Sequence, residues 1–218
     1  MFEVPRSAPR SNPWPLAMLW IGVAVLNLVG IRFVVPSLLR AFEVRPGSYS
    51  LISIVVYGAI GLLTVVLQWL ALRRFFPGLR MWLLAHGTFL ILRQVLQFPA
   101  SQGAATVFNS GGDIPTGLLV IGSVDMVWTL LIGLIGRRLF RPLTRRAWLW
   151  PAVLILETLI QTLLLLLVLW PRVDAQGGGA DLAFYNTLGA VLTLAMAGAQ
   201  AAVLALFSRD QHHPDWNY

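Results

Sequence analysis

The chain has 218 residues, of which 57% are hydrophobic and 11% charged, with a net charge of +7 and a mean hydropathy of +0.75. A soluble domain carries about 25% charged residues, so this chain cannot clothe a surface in water, and a polytopic membrane protein is expected. Cysteine and lysine are absent and all 16 basic residues are arginine. This excludes disulfides, thiolate nucleophiles, Cys-ligated metals and Schiff bases with retinal or pyridoxal phosphate.

A helix crosses a bilayer with about 20 apolar residues at about 1.5 Å rise each. Six segments meet that length: 14–38, 49–71, 80–98, 116–136, 148–170 and 182–207. The predicted fold is therefore all-α, a six-helix transmembrane bundle over 14–207 with short loops, between tails at 1–13 and 208–218. Arginines set the orientation. Arg6 and Arg10, then Arg73, Arg74 and Arg80, then Arg137, Arg138, Arg141, Arg145 and Arg146, and finally Arg209 fall on one side. The opposite loops hold only Arg40, Arg45 and Arg172, so the positive-inside rule places both termini in the cytoplasm, as expected in a bacterial inner membrane. The basic charge reads as topology rather than as nucleic-acid binding.

The first span follows a charged tail without a small-residue cleavage site, and is expected to be a retained signal anchor. Asn27 and Gly30 share one of its faces. Arg32 lies about 140° away, where it can snorkel to the surface. In the second span Ser50, Ser53, Tyr57, Gly61, Thr64 and Gln68 step by threes and fours along one face.

The third span repeats the pattern with His86, Leu90, Arg93 and Gln97. The fourth carries Gly122, Asp125, Thr129, Gly133 and Gly136, the fifth Glu157 and Gln161, and the sixth Asn186, Gly189, Thr193 and Gln200. Each stripe is expected to face a common interior. Trp14, Trp82, Trp148, Trp150 and Trp170 sit near span ends, as an interfacial belt would.

Depth sorts these groups. His86, Thr64 and Gln200 fall about 10 Å from the cytoplasmic edge, Glu157 and Asp125 about 14 to 16 Å, and Arg93, Gln161, Asn27, Tyr57 and Thr193 about 20 Å. Arg93 can thus bridge to Asp125 or Glu157. Two acids against one permanent cation leave a proton or another cation to balance the charge.

Intramembrane ionisable groups mark functional sites more often than not. The expected function is small-molecule or ion binding or transport, with proton coupling as one form. Its site is formed by Arg93, Asp125, Glu157 and His86 and lined by Tyr57, Gln161, Thr193 and Asn27. In size and span number alone the chain is comparable to the substrate-binding membrane subunits of vitamin importers. Lacking an ATP-binding motif, it would need an energising partner besides its lipids.

No metal site or cofactor is expected. Bis-histidine haem needs a second membrane histidine, and His212 and His213 lie in the tail, which leaves single-ligand pigment or haem binding through His86. Neither GxSxG nor HExxH occurs, so an enzyme is not the favoured reading. The alternative is a non-catalytic subunit or assembly factor of a larger membrane complex, its polar stripes holding helices together. A site should leave a cavity reaching Arg93, whereas packing stripes should close on one another.

Overall fold

The computed structural model describes residues 12–44, 51–76, 79, 81–93, 114–169 and 182–210. Its regular structure there is entirely helical. Six elements follow in chain order: α1 (Trp14–Ala41), α2 (Leu51–Phe75), α3 (Met81–Arg93), α4 (Ile114–Phe140), α5 (Leu149–Leu164, continued by Leu165–Leu169) and α6 (Leu182–Asp210). Four of them, α1, α2, α5 and α6, are long and apolar enough to cross a membrane. That is the make-up of an integral membrane protein. The other two predicted spans are helical over their described residues. α4 has 27 residues but includes Asp125, Arg137 and Arg138, and the predicted third span runs on from α3 to residue 98, outside the described residues, with Gln94 and Gln97.

The helices form a closed ring. α1 packs between α2 and α6, α6 packs on α5, and α5 packs on α4. α3 completes the circuit: its Leu90 lies against Gly61 of α2, and its Phe89 meets Trp128 of α4 edge-on at 5.5 Å.

The main core lies where the arginine-rich ends of all six helices meet. Leu16 and Trp20 of α1, Leu72 of α2, Trp82 of α3, Phe140 of α4, Trp150 of α5 and Leu204 and Phe207 of α6 are buried together with Phe76 and Leu79. Trp20 meets Trp82 and Trp150 edge-on at 6.3 and 5.9 Å, and Trp82 meets Trp150 at 5.6 Å. Each such pair adds about 0.5–1.5 kcal/mol beyond the area it buries. Two tryptophans expected in an interfacial belt are therefore core residues: Trp82 and Trp150 are 1% and 2% exposed, against 69% and 56% for Trp14 and Trp148. Position along a span gives depth but not direction, and these two indoles turn inward.

α1 is widened at its far third. Residues Gly30–Val34 form a π-helical turn just before Pro36, which has no N–H to give the ladder. Ser37 Oγ donates to Phe33 O at 2.7 Å and Arg40 Nε to Pro36 O at 3.2 Å, so side chains serve carbonyls beside the break. The wider turn shifts the helical phase. Arg32, within this turn and half-buried, reaches to α6, its Nη2 3.1 Å from where a Cβ on Gly189 would stand.

α1 ends with Glu43 at φ 55° and with Val44 N donating to Leu39 O at 2.9 Å. This closure tucks Val44 onto Val35, Leu39 and Val56.

Glycines bring α4 and α5 together. A Cβ on Gly133 would stand 2.9 Å from Cα and Cβ of Pro151, and one on Gly136 would collide with the Trp150 indole. Gly136→Ala is expected to lower stability by about 1–3 kcal/mol, and Glu43→Gly, relieving a left-handed side chain, to raise it by about 1 kcal/mol. Thermal unfolding in detergent reads both; shifts of the same sign would contradict the packing described.

Candidate functional site

Inside the ring lies a cavity of about 320 Å³ whose wall takes residues from all six helices. Its aromatic part is Trp20, Trp82, Trp150, Tyr57 and His86, and its polar part is Asn27, Thr64, Gln68, Gln200 and Arg93. From Trp20 to Ile31 along α1, both lining residues, is about 16 Å. The three core tryptophans border it at the arginine-rich end.

The stripe of α2 supplies one wall. Tyr57, Gly61, Thr64 and Gln68 all line the cavity, as their three-and-four spacing predicts, while Ser53 is buried nearer the other end and Ser50 lies outside the described residues. The hydroxyl of Thr64 has Asn27 Oδ1 and Ile60 O both within 2.9 Å. The first of these ties α1 to α2.

α3 supplies the titratable groups. His86, Leu90 and Arg93 line the cavity. The His86 ring stacks on Trp82 at 3.6 Å and 17°, and its Nδ1 donates to Trp82 O at 3.3 Å. A carbonyl can only accept, so Nδ1 carries a proton and Nε2 is the ring atom left to meet a ligand. Arg93 Nη2 donates to Asp125 Oδ1 at 2.6 Å, which settles its partner as Asp125 rather than Glu157.

Glu157 belongs to a different network. Trp20 Nε1 donates to Gln200 Oε1 at 3.0 Å, and Gln200 Nε2 donates to Glu157 Oε2 at 2.7 Å. One amide thus links α1, α6 and α5. Among the described residues Glu157 is in no ion pair.

Several predicted site residues are placed elsewhere. Asp125, Glu157, Gln161 and Thr193 are not part of the cavity wall. Gln161 is exposed, and Thr193 Oγ1 donates to Gly189 O of its own helix at 2.8 Å. Apart from Asp125, which pairs with Arg93 of α3, the α4 stripe faces α5: Thr129 Oγ1 and Thr158 Oγ1 are hydrogen-bonded at 2.8 Å, and Gly122 stands against Thr162. α4 gives the cavity Ile132 instead. The side chain of Asn186 lies outside the described residues.

Sequence reasoning missed the tryptophans of the wall, because an indole near a span end reads as a belt residue. Gln68 and Gln200 were visible as stripe members but not as wall residues.

Four buried side-chain nitrogens have no hydrogen-bond partner among the described residues: Trp82 Nε1, His86 Nε2, Arg93 Nε and Trp150 Nε1. All four belong to residues of the cavity wall. Trp150 turns its Nε1 to Gly136 of α4, which leaves Trp82, His86 and Arg93, of which Arg93 and His86 carry the titratable groups. Among the described residues no group of three or more His, Asp or Glu side chains could hold a metal ion. Comparison with known protein families, curated proteins and solved structures finds no match for this chain.

The Gln200 amide makes a direct prediction. Gln200→Leu strands the Trp20 N–H and the Glu157 carboxyl, and is expected to cost about 1–3 kcal/mol per buried group left unpaired. Gln161→Leu, on an exposed face, is expected to leave the detergent melting curve near its original midpoint. Equal losses in the two variants would place the network outside the fold's stabilising contacts.

Proposed function

We propose that the protein binds or carries a small molecule in the cavity bordered by its six helices. The supporting observation is that this cavity, bordered by every helix, has in its wall Arg93, His86 and Trp82, each keeping a buried nitrogen without a hydrogen-bond partner among the described residues. An unpaired buried polar atom costs about 1–3 kcal/mol, and a ligand able to pair with it recovers that cost. Stripes serving packing alone would close on one another. Those of α2 and α3 border a cavity instead.

The lining narrows the ligand. Its one arginine is already neutralised by Asp125, so a molecule without net charge suits the site better than an ion. The tryptophans, Tyr57 and His86 favour a flat apolar ring, while Arg93 Nε offers a hydrogen and His86 Nε2 accepts one. About 320 Å³ is near the small end of ligand pockets, which run from about 300 to 1,000 Å³. In this reading the basic end faces the cytoplasm of a bacterial inner membrane, and transport requires an energising partner. Proton coupling would fall to Glu157, the acid without an arginine.

The second reading, a non-catalytic subunit or assembly factor of a larger complex, is favoured by α4, whose Gly122, Thr129, Gly133 and Gly136 are spent on α5. Purification in mild detergent, followed by mass spectrometry of extracted small molecules and co-purifying chains, separates the two. Thr64→Phe fills the cavity without touching the Arg93 pair, and is expected to reduce the bound molecule at least about tenfold, equivalent to about 1.4 kcal/mol, while elution stays monodisperse. If Asp125→Asn and Glu157→Gln both keep a bound molecule but lose a partner chain, and Thr64→Phe changes nothing, the binding reading fails.

A further inference from the structure

A second concavity lies at the arginine-rich end, outside the ring. Arg137 and Arg141 stand one turn apart where α4 ends, with Arg141 N donating to Arg137 O at 2.8 Å. Together with Arg145 and Trp148 of the following turn they surround about 330 Å³ over Thr144 and Ala147, which are 1% and 4% exposed. No acidic side chain is part of this wall. Arg137 and Arg141 thus put two exposed guanidinium groups on one concavity, and like charges repel less when an anion sits between them.

The turn that carries them is held in place. Thr144 Oγ1 donates to Asp210 Oδ2 at 2.6 Å and accepts from Arg146 N at 3.0 Å, so the α4–α5 connection is fastened to the end of α6. Asp210 sits at a helix C-terminus, where a negative charge is unfavourable. Its bonds to this turn offset that cost and fix the arginines' backbone.

The face of α4 that ends in these arginines continues as an apolar stripe. Val127, Leu130, Leu134, Arg137 and Arg141 step by 3, 4, 3 and 4, which puts them in one row. The three apolar members are 57%, 43% and 45% exposed. Cationic groups above a row of exposed aliphatic side chains match a molecule with an anionic head and hydrocarbon tails. A soluble phosphate would use the arginines and leave the stripe idle. Trp148, 56% exposed, adds an amphipathic ring at the junction of head and tail, the level tryptophan favours at a bilayer interface.

We propose that this pocket holds the headgroup phosphate of an anionic phospholipid whose acyl chains lie along Val127, Leu130 and Leu134. Arginine suits the task because its planar fork donates two parallel hydrogen bonds to phosphate oxygens. The proposal is independent of what occupies the central cavity.

The test uses the full chain in detergent, titrated with phosphatidylglycerol or phosphatidylcholine and read by native mass spectrometry. Phosphatidylglycerol is expected to bind at least about tenfold tighter, the least that one charge-assisted hydrogen bond contributes. The double variant Arg137→Gln, Arg141→Gln is expected to erase that preference, and Arg73→Gln, Arg74→Gln, which removes equal charge from the same end, to keep it. Inorganic phosphate at millimolar concentration is expected to leave the lipid bound. Equal binding of the two lipids, equal loss in the two double variants, or displacement by phosphate would overturn the proposal, the last in favour of a soluble-anion site. Should the pocket variant not fold, a photoactivatable phosphatidylglycerol on the unaltered protein decides: crosslinks are expected within 127–148, and crosslinks confined elsewhere would refute the site.

Discussion

Helices immersed in lipid gain little by hiding apolar surface from one another, because the tails around them are equally apolar. Shape and polar bonds must hold such a ring together. Here the shape comes mainly from one aromatic cluster, Trp20, Trp82, Trp150, Phe140, Phe76 and Phe207, drawing on five helices and the start of the α2–α3 connection, with Leu72 of α2 packed against it. Rings meeting edge-on need fixed angles as well as close approach, and so they set rotation as well as distance. With α1, α3 and α5 turned to bring their tryptophans together, Asn27, His86, Arg93 and Leu154 come to face the interior. The cavity wall thus depends on packing at one end.

The polar bonds divide into two kinds. Some lock neighbouring helices: Thr129 to Thr158 across α4 and α5, Thr64 to Asn27 across α1 and α2, and Gln200 to both Trp20 and Glu157. Arg93 does both jobs, since one of its nitrogens holds Asp125 while another stays unpaired. The two readings of the sequence, packing and site, are distributed among helices. α4 and α5 are joined by glycine and threonine contacts that leave little room, whereas α2 and α3 keep their stripes for the cavity.

Helix number, their approximate limits and the inward faces of α2 and α3 were legible in the sequence, because hydrophobic length and three-and-four spacing are local properties. Arg93 pairing with an acid followed from matched depth. What could not be read was rotation about each axis. A stripe says which residues share a face, but the partner opposite that face decides whether it meets another helix or a cavity, which is why α4 turned to α5 and Gln161 turned outward. The π-helical turn at Gly30–Val34 was hidden for a related reason. It takes more residues per turn than an α-helix, so any angle counted at 100° per residue drifts across it.

The indole triad also has a kinetic side. A solute reaching His86 from the end remote from the arginines finds Trp20, Trp82 and Trp150 between it and the opposite face of the bundle. Each contact is weak alone, at about 0.5–1.5 kcal/mol, yet the three share rings and cannot open singly. Parting them also strains the amide bridge from Trp20 to Gln200. In the binding reading proposed above, the triad would serve as a latch, with residence time on one side of it set by how often three rings let go together.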